Sequence, residues 1–268
     1  MRTKVNIIFR TCDKVKSVHG TDRPFNMNKE QIINYCFVSL ARSLRYCEAK
    51  TDLSNDIIIV GDELTDQRIE WYKLYKPKII YNDSFTNGPS IRKTFEIAKD
   101  LPDDEWVYFC EDDYLHMDES FWHIYEFFDN KNVYLKDFNS KDLFIHPVDY
   151  PDRYMRDDDF YQKWHIFISK FTHWRQIYNT TYTFLCSVKS FKKYYDIFIE
   201  SAENWDDGLF SKKVYWRDDV ICLSPMPSLA CHMHDVSMSP FIDWQGVLQY
   251  LTKEDEYERN EKLERIKI

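Results

Sequence analysis

The chain has 268 residues, 44% hydrophobic and 17% aromatic, enough to enclose a sizeable core and too apolar for chain-wide disorder. Its formal net charge of −9 excludes nucleic acid or anionic lipid as partners held by bulk charge. An anionic nucleotide still fits where local Arg, Lys or a metal cancels its charge.

Val5 to Phe9 is a β-branched run that reads as a buried first strand, followed by a polar loop over Arg10 to Met27. Asn28 opens a helix, with Gln31 as its capping-box partner, and Ile33, Phe37, Leu40, Leu44 and Cys47 form its apolar face. Asp56 to Val60 is a second strand, ended by Gly61-Asp62. A short helix follows from about Asp66 to Tyr75, and Lys78 to Tyr81 is a weaker third strand. Gly88-Pro89 starts the next helix, which stops before Pro102. Trp106 to Cys110 is a fourth strand, running into Glu111-Asp112-Asp113.

Strand and helix therefore alternate as far as Asp113, the pattern of an α/β protein with a mostly parallel central sheet flanked by helices. The second half is less regular. Asp118 is expected to cap a helix to about Phe128, and residues 137–165 read as a long polar loop. Ile166 to Ile168 and Tyr182 to Cys186 read as strands, Ser190 to Ala202 as a helix, and a short helix starts near Asp206. The expected organisation is a single domain over 1–268: a nucleotide-binding half (1–116), an acceptor half (117–252) and a peripheral, charged C-terminal helix (253–268).

Seven cysteines without a CxxC pair imply free thiols in a reducing compartment. Met1 to Lys4 lead straight into a strand, without a leader-like apolar region, and no stretch nears the roughly 18 apolar residues of a membrane span. A cytoplasmic location is expected.

Three carboxylates directly after a buried strand repel one another unless a cation joins them. A hard divalent ion such as Mn²⁺ or Mg²⁺ takes oxygen ligands, few from protein and more from substrate phosphates. In parallel α/β sheets, ligands sit beyond the carboxyl ends of the strands, where this triplet falls. The competing reading is an acidic loop facing water.

Asn87-Gly88-Pro89-Ser90-Ile91-Arg92 followed by Cys110-Glu111-Asp112-Asp113 resembles the GT-A glycosyltransferases, particularly the family-2-like group, over about residues 4–116. There an Asn-Gly turn opens a helix ahead of a strand ending in a DxD-type motif; here Glu111 replaces the usual first Asp. The resemblance implies a metal-dependent transferase using a nucleotide-diphosphate-sugar donor and a glycan or other hydroxyl acceptor. It assigns metal contact to Asp113 and contact with the donor ribose or sugar to Asp112, beside Glu111. It also implies that Arg10, Thr11 and Asp13 hold base and ribose, that Asp62 meets the base, and that Arg92, on the helix opened by Asn87, points to base or phosphate. The second-strand DDGSxD signature is replaced by Gly61-Asp62-Glu63-Leu64-Thr65-Asp66, which leaves the base open.

An inverting transferase needs a general base for the acceptor hydroxyl. The family places an acid at the start of a second-half helix, and Trp205-Asp206-Asp207-Gly208 is similar to that segment. Asp207 is the first candidate and Asp206 the second, with a plain helix cap as the alternative and Asp218-Asp219 as a rival pair. A helix N-terminus there is expected to lower the carboxylate's pKa. His232 and His234 fall on one face of an extended segment, and either is a candidate to complete the Asp113 site. Trp174, Trp205 and Trp244 are candidate sugar platforms, and Arg175 a candidate diphosphate contact. A nucleotidyltransferase and a noncatalytic carbohydrate-binding protein are the alternative functions.

Overall fold

The first strand, β1 (Lys4–Cys12), runs three residues past the expected end, so Arg10 and Thr11 lie in the sheet and not in a loop. The computed structural model describes residues 3–14, 23–154 and 165–253. The expected C-terminal helix (253–268) lies outside the described residues apart from Lys253.

The alternating half follows its sequence signals closely. Helix α1 (Lys29–Lys50) begins at Asn28 with a complete capping box: Asn28 accepts from the Gln31 amide, and Gln31 accepts from the Asn28 amide. After it come β2 (Ser54–Asp62), α2 (Asp66–Lys73), β3 (Ile79–Asn82), α3 (Asn87–Lys99) and β4 (Trp106–Glu111). Helix α3 starts one residue before the expected Gly88, with Thr86 at its N-cap position.

The second half departs more. Strand β5 (Tyr114–His116) follows the triplet directly, and α4 (Ser120–Asp129) is preceded by Glu119 at the N-cap position. Asp118 is no cap; it takes a two-pronged hydrogen bond from Arg42, at 3.0 and 2.7 Å. After the short α5 (Lys131–Tyr134), the supposed loop over 137–165 contains a strand, β6 (Asp142–Ile145). Strands β7 (Ile166–Ile168), β8 (His173–Ile177) and β9 (Phe184–Ser187) come next. The single helix expected from Ser190 is two, α6 (Val188–Lys193) and α7 (Tyr195–Asn204), broken at Tyr194. The chain continues through α8 (Asp207–Phe210), β10 (Val220–Met226), β11 (Ala230–His232) and a helix, α9, over 244–253.

Among the described residues, nine strands form one sheet in the order β3-β2-β1-β4-β9-β6-β10-β8-β7, shared by both halves of the chain. Strands β3, β2, β1 and β4 are mutually parallel, as are β6 and β10. Strand β9 is antiparallel to both β4 and β6, and β8 to both β10 and β7. Only β8 and β9 therefore oppose the common direction, in keeping with the mostly parallel sheet expected.

Alternation along the strands feeds two cores. Val5, Ile7 and Phe9 of β1 and Tyr108 and Cys110 of β4 pack with Ile33, Phe37 and Leu40 of α1 and Phe121 and Phe127 of α4. On the other face, Ile8, Val107 and Phe109 pack with Ile91 and Phe95 of α3 and Phe198 of α7. A third cluster, including Ile32, Cys36, Leu115, Met233 and Trp244, closes over the small sheet formed by β5 and β11. All seven cysteines are free thiols, six of them buried. Among the described residues, no helix is long and apolar enough to cross a membrane.

Candidate active site

The carboxyl ends of β1 and β4 lie side by side, with Arg10 paired in register with Glu111. Strand β9 enters the sheet at this same end, since Phe184 pairs with Phe109. Thr181 and Tyr182, just ahead of β9, therefore reach the triplet, and Thr183 Oγ1 accepts from the Glu111 amide at 3.1 Å. The pairing of β5 with β11 sets His232 opposite Tyr114. These ends enclose a cleft of about 810 Å³.

Each acid of the triplet is matched by one base. Arg10 Nη2 lies 2.5 Å from Glu111, Lys29 Nζ 2.5 Å from Asp112 and Arg23 Nη1 3.0 Å from Asp113. Asn87 Oδ1 also accepts from Arg10, at 2.8 Å, so the Asn-Gly turn at the start of α3 aims that guanidinium. Asp112 has little left to offer a ligand: Thr11 Oγ1 and the Cys12 amide share its other oxygen, at 3.0 and 3.1 Å. It locks the end of β1 to the start of α1. Burial pushes the Glu111 carboxyl up despite Arg10.

Asp113 and His232 form a second kind of pair. Asp113 Oδ2 lies 3.5 Å from His232 Nε2, while the other ring nitrogen, Nδ1, meets the Tyr150 hydroxyl at 3.2 Å. The imidazole stacks on Tyr114, with centroids 4.7 Å apart. Burial acts against both charges, but their mutual attraction outweighs it, holding Asp113 below the usual carboxylate range and raising His232. Protonated, the imidazole turns its Nε2–H toward Asp113; a cation between the two would take the place of that proton, with Nδ1 held by the Tyr150 hydroxyl. These two side chains fit a divalent ion whose remaining ligands are phosphate oxygens and water. Among the described residues, no group of three or more His, Cys, Asp or Glu is arranged to hold an ion. His234 lines the same cleft.

Asp207 lines the cleft too and is the first residue of α8. Its pKa is not depressed, as expected of a helix start, but raised to about 6. Burial is the main cause, the Glu111 and Asp206 charges add to it, and the Gly208 amide offsets them only in part. A helix of four residues has little dipole to oppose these effects. Asp206 stands at the N-cap position, yet its side chain caps nothing and is not part of the cleft wall. Trp205 does line the cleft, exposed and left-handed at φ 56°. Its indole covers the start of α3 so closely that a Cβ on Gly88 would sit 2.1 Å from Nε1.

Of the residues singled out from sequence, Arg10, Thr11, Asn87, Glu111, Asp112, Asp113, Trp205, Asp207, His232 and His234 converge on the cleft. The others do not line it. Asp13 accepts from Arg68 Nε at 3.0 Å and ties β1 to α2. Asp62 is buried at the end of β2, one of its oxygens unpartnered and its carboxyl pushed up by burial. Arg92 sits on the outer face of α3, bonded to Glu96 and Glu203. Arg175 is buried on β8, 3.7 Å from Asp149. Trp174 and Trp244 are core residues, their indoles donating to Ser169 and Ser239. Asp219 flanks the amino end of β10, away from the cleft, and pairs with Lys193 and Arg217. Sequence reasoning missed Arg23, Lys29, Tyr150 and Asp152, all on the cleft wall. The demand for bases to balance the triplet was the signal for the first two.

No family model and no curated protein matches the chain. Solved structures with similar architecture include S. aureus TarS, at 16% identity and a TM-score of 0.47, covering 83% of this chain and 35% of TarS. The chain thus spans about a third of the length of TarS. The galactosyltransferase LgtC is similar at 10% identity and a TM-score of 0.43, over 81% of this chain and 72% of LgtC. The 4-diphosphocytidyl-2C-methyl-D-erythritol synthase of Anaerococcus prevotii is similar at 14% identity and a TM-score of 0.42, over 93% of this chain and 96% of that one.

Proposed function

We propose that this chain is a glycosyltransferase that moves a sugar from a nucleotide-diphosphate-sugar donor to a hydroxyl acceptor, with Asp207 as general base and inversion at the anomeric carbon. The observation that carries the reading is Asp207 itself. It is a carboxylate with pKa about 6, on the wall of the same cleft as the strand-end acids. A base is most effective when its pKa lies near the operating pH, and burial supplies that here. In-line attack by a hydroxyl activated in this way inverts the sugar carbon.

The donor reading rests on charge. Among the described residues of the cleft wall, Arg10, Arg23 and Lys29 face Glu111, Asp112, Asp113, Asp152 and Asp207. The acids outnumber the bases, so a diphosphate needs positive charge from elsewhere. A Mn²⁺ or Mg²⁺ ion held by Asp113 and His232 would supply it, offsetting the charge of the leaving diphosphate. Arg10, fixed by Asn87 and Glu111, is directed at the same region. Trp205 offers an exposed ring to a sugar face.

The test is product analysis with Mn²⁺, a panel of nucleotide sugars and simple glycosides as acceptors. Release of a nucleoside diphosphate together with a glycosylated product is expected. Inert nucleotide sugars, with pyrophosphate released instead when a nucleoside triphosphate and a sugar 1-phosphate are supplied, would mean nucleotidyl transfer, and glycan binding without nucleotide turnover would mean a noncatalytic module.

A further inference from the structure

Asp113 Oδ2 has two claimants. It faces His232 Nε2 at 3.5 Å, and it already accepts from Arg23 Nη1 at 3.0 Å. The same Arg23 nitrogen donates to the Met233 carbonyl at 3.1 Å, one residue past His232. The guanidinium therefore spans both sides of the proposed metal pair. Arg10 and Lys29 are placed differently, on Glu111 and Asp112. Arg23 and Asp113 are both largely shielded, with side chains 15% and 16% exposed.

We infer that Arg23 is a positioning residue that competes with the ion for the metal-facing oxygen of Asp113 and pairs with the donor diphosphate when ion and nucleotide enter together. This rests on Asp113 and His232 being the metal pair. A cation and a guanidinium sharing one shielded carboxylate oxygen repel strongly, so only one of them stays. The displaced fork matches the geometry of a phosphate. The ion alone then binds weakly, because it must break the Arg23 pair without compensation. With nucleotide present, the pair is exchanged for another, and the two ligands strengthen each other reciprocally.

The experiment is a titration of Mn²⁺ alone into nucleotide-free protein, followed by the electron paramagnetic resonance signal of the free ion. The proteins are wild type, Arg23→Gln, Arg23→Lys, and Asp113→Asn with and without Arg23→Gln. Gln keeps a donor for the Met233 carbonyl while removing the charge, and Lys keeps the charge. Arg23→Gln is expected to bind Mn²⁺ at least about tenfold tighter than wild type, with Arg23→Lys close to wild type. The gain should vanish when Asp113→Asn is added. Unchanged or weaker binding by Arg23→Gln, or a gain that survives Asp113→Asn, overturns the inference and leaves the transferase reading standing. Failure of every variant to bind Mn²⁺ at millimolar concentration overturns the metal pair, and the inference with it.

Discussion

At Asp207, stability and chemistry pull against each other. Its folded pKa of about 6 stands above the ordinary aspartate value of 3.8, so folding favours the protonated form. Below about pH 4 the group is neutral whether folded or not, and nothing is lost. As pH rises through 6, ionisation in the buried position becomes a cost of folding, on the order of 2 kcal/mol once complete. Asp207→Asn removes that cost. The variant is expected to melt higher than wild type at pH 7.5, with the difference closing between pH 6 and 4. Its turnover is expected to fall by about 10²- to 10⁴-fold, while donor affinity is kept. Wild-type turnover should itself decline below pH 6 with a slope of one proton. A variant that melts no higher and turns over normally moves the base elsewhere, with Asp152 the other cleft carboxylate outside the triplet. The place of this residue, at a helix start after Trp205, was legible in the sequence. Its pKa was not, because burial and the distant Glu111 set it.

Among the elements, the contact between α3 and α7 carries the site. Gly88, in the first turn of α3, lies under Trp205, the left-handed residue that ends α7. Gly88→Ala would bring a methyl within 2.1 Å of the indole Nε1 and 2.8 Å of the Ala202 carbonyl. The backbone oxygen cannot swing away. Destabilisation by about 1–3 kcal/mol is expected in chemical denaturation, with a weakened sugar contact as Trp205 is pushed aside. A variant as stable as wild type would mean that the two helices do not meet this tightly. The Asn-Gly turn was visible in sequence, but its partner across 117 positions was not. Elements with strong local signals were read well: the capping box of α1 and the apolar runs of β1, β2 and β4. Strands β6 and β10 escaped for physical reasons. β6 has only four residues inside a polar stretch, and β10 carries Ser224 and Pro225 within the sheet, where proline is disfavoured. Their burial comes from neighbours far along the chain, β9 for one and β8 for the other.

For the whole molecule, the two halves anticipated from sequence are not separable layers. One sheet runs through both, because β9 from the second half pairs with β4 from the first. That pairing brings Thr181 and Tyr182 to the triplet and makes a single cleft from residues as distant as Arg10 and His232. The central claim is therefore that a nucleoside diphosphate and a divalent ion bind this cleft together. The most direct measurement is thermal melting of wild type and Asp113→Asn with UDP, GDP or dTDP, each with Mn²⁺ and with EDTA. One nucleotide is expected to stabilise the wild type by about 2.7 kcal/mol at one hundred times its Kd. That shift should need Mn²⁺ and be lost in Asp113→Asn. No shift with any nucleotide, or an equal shift in EDTA and in the variant, would contradict the account.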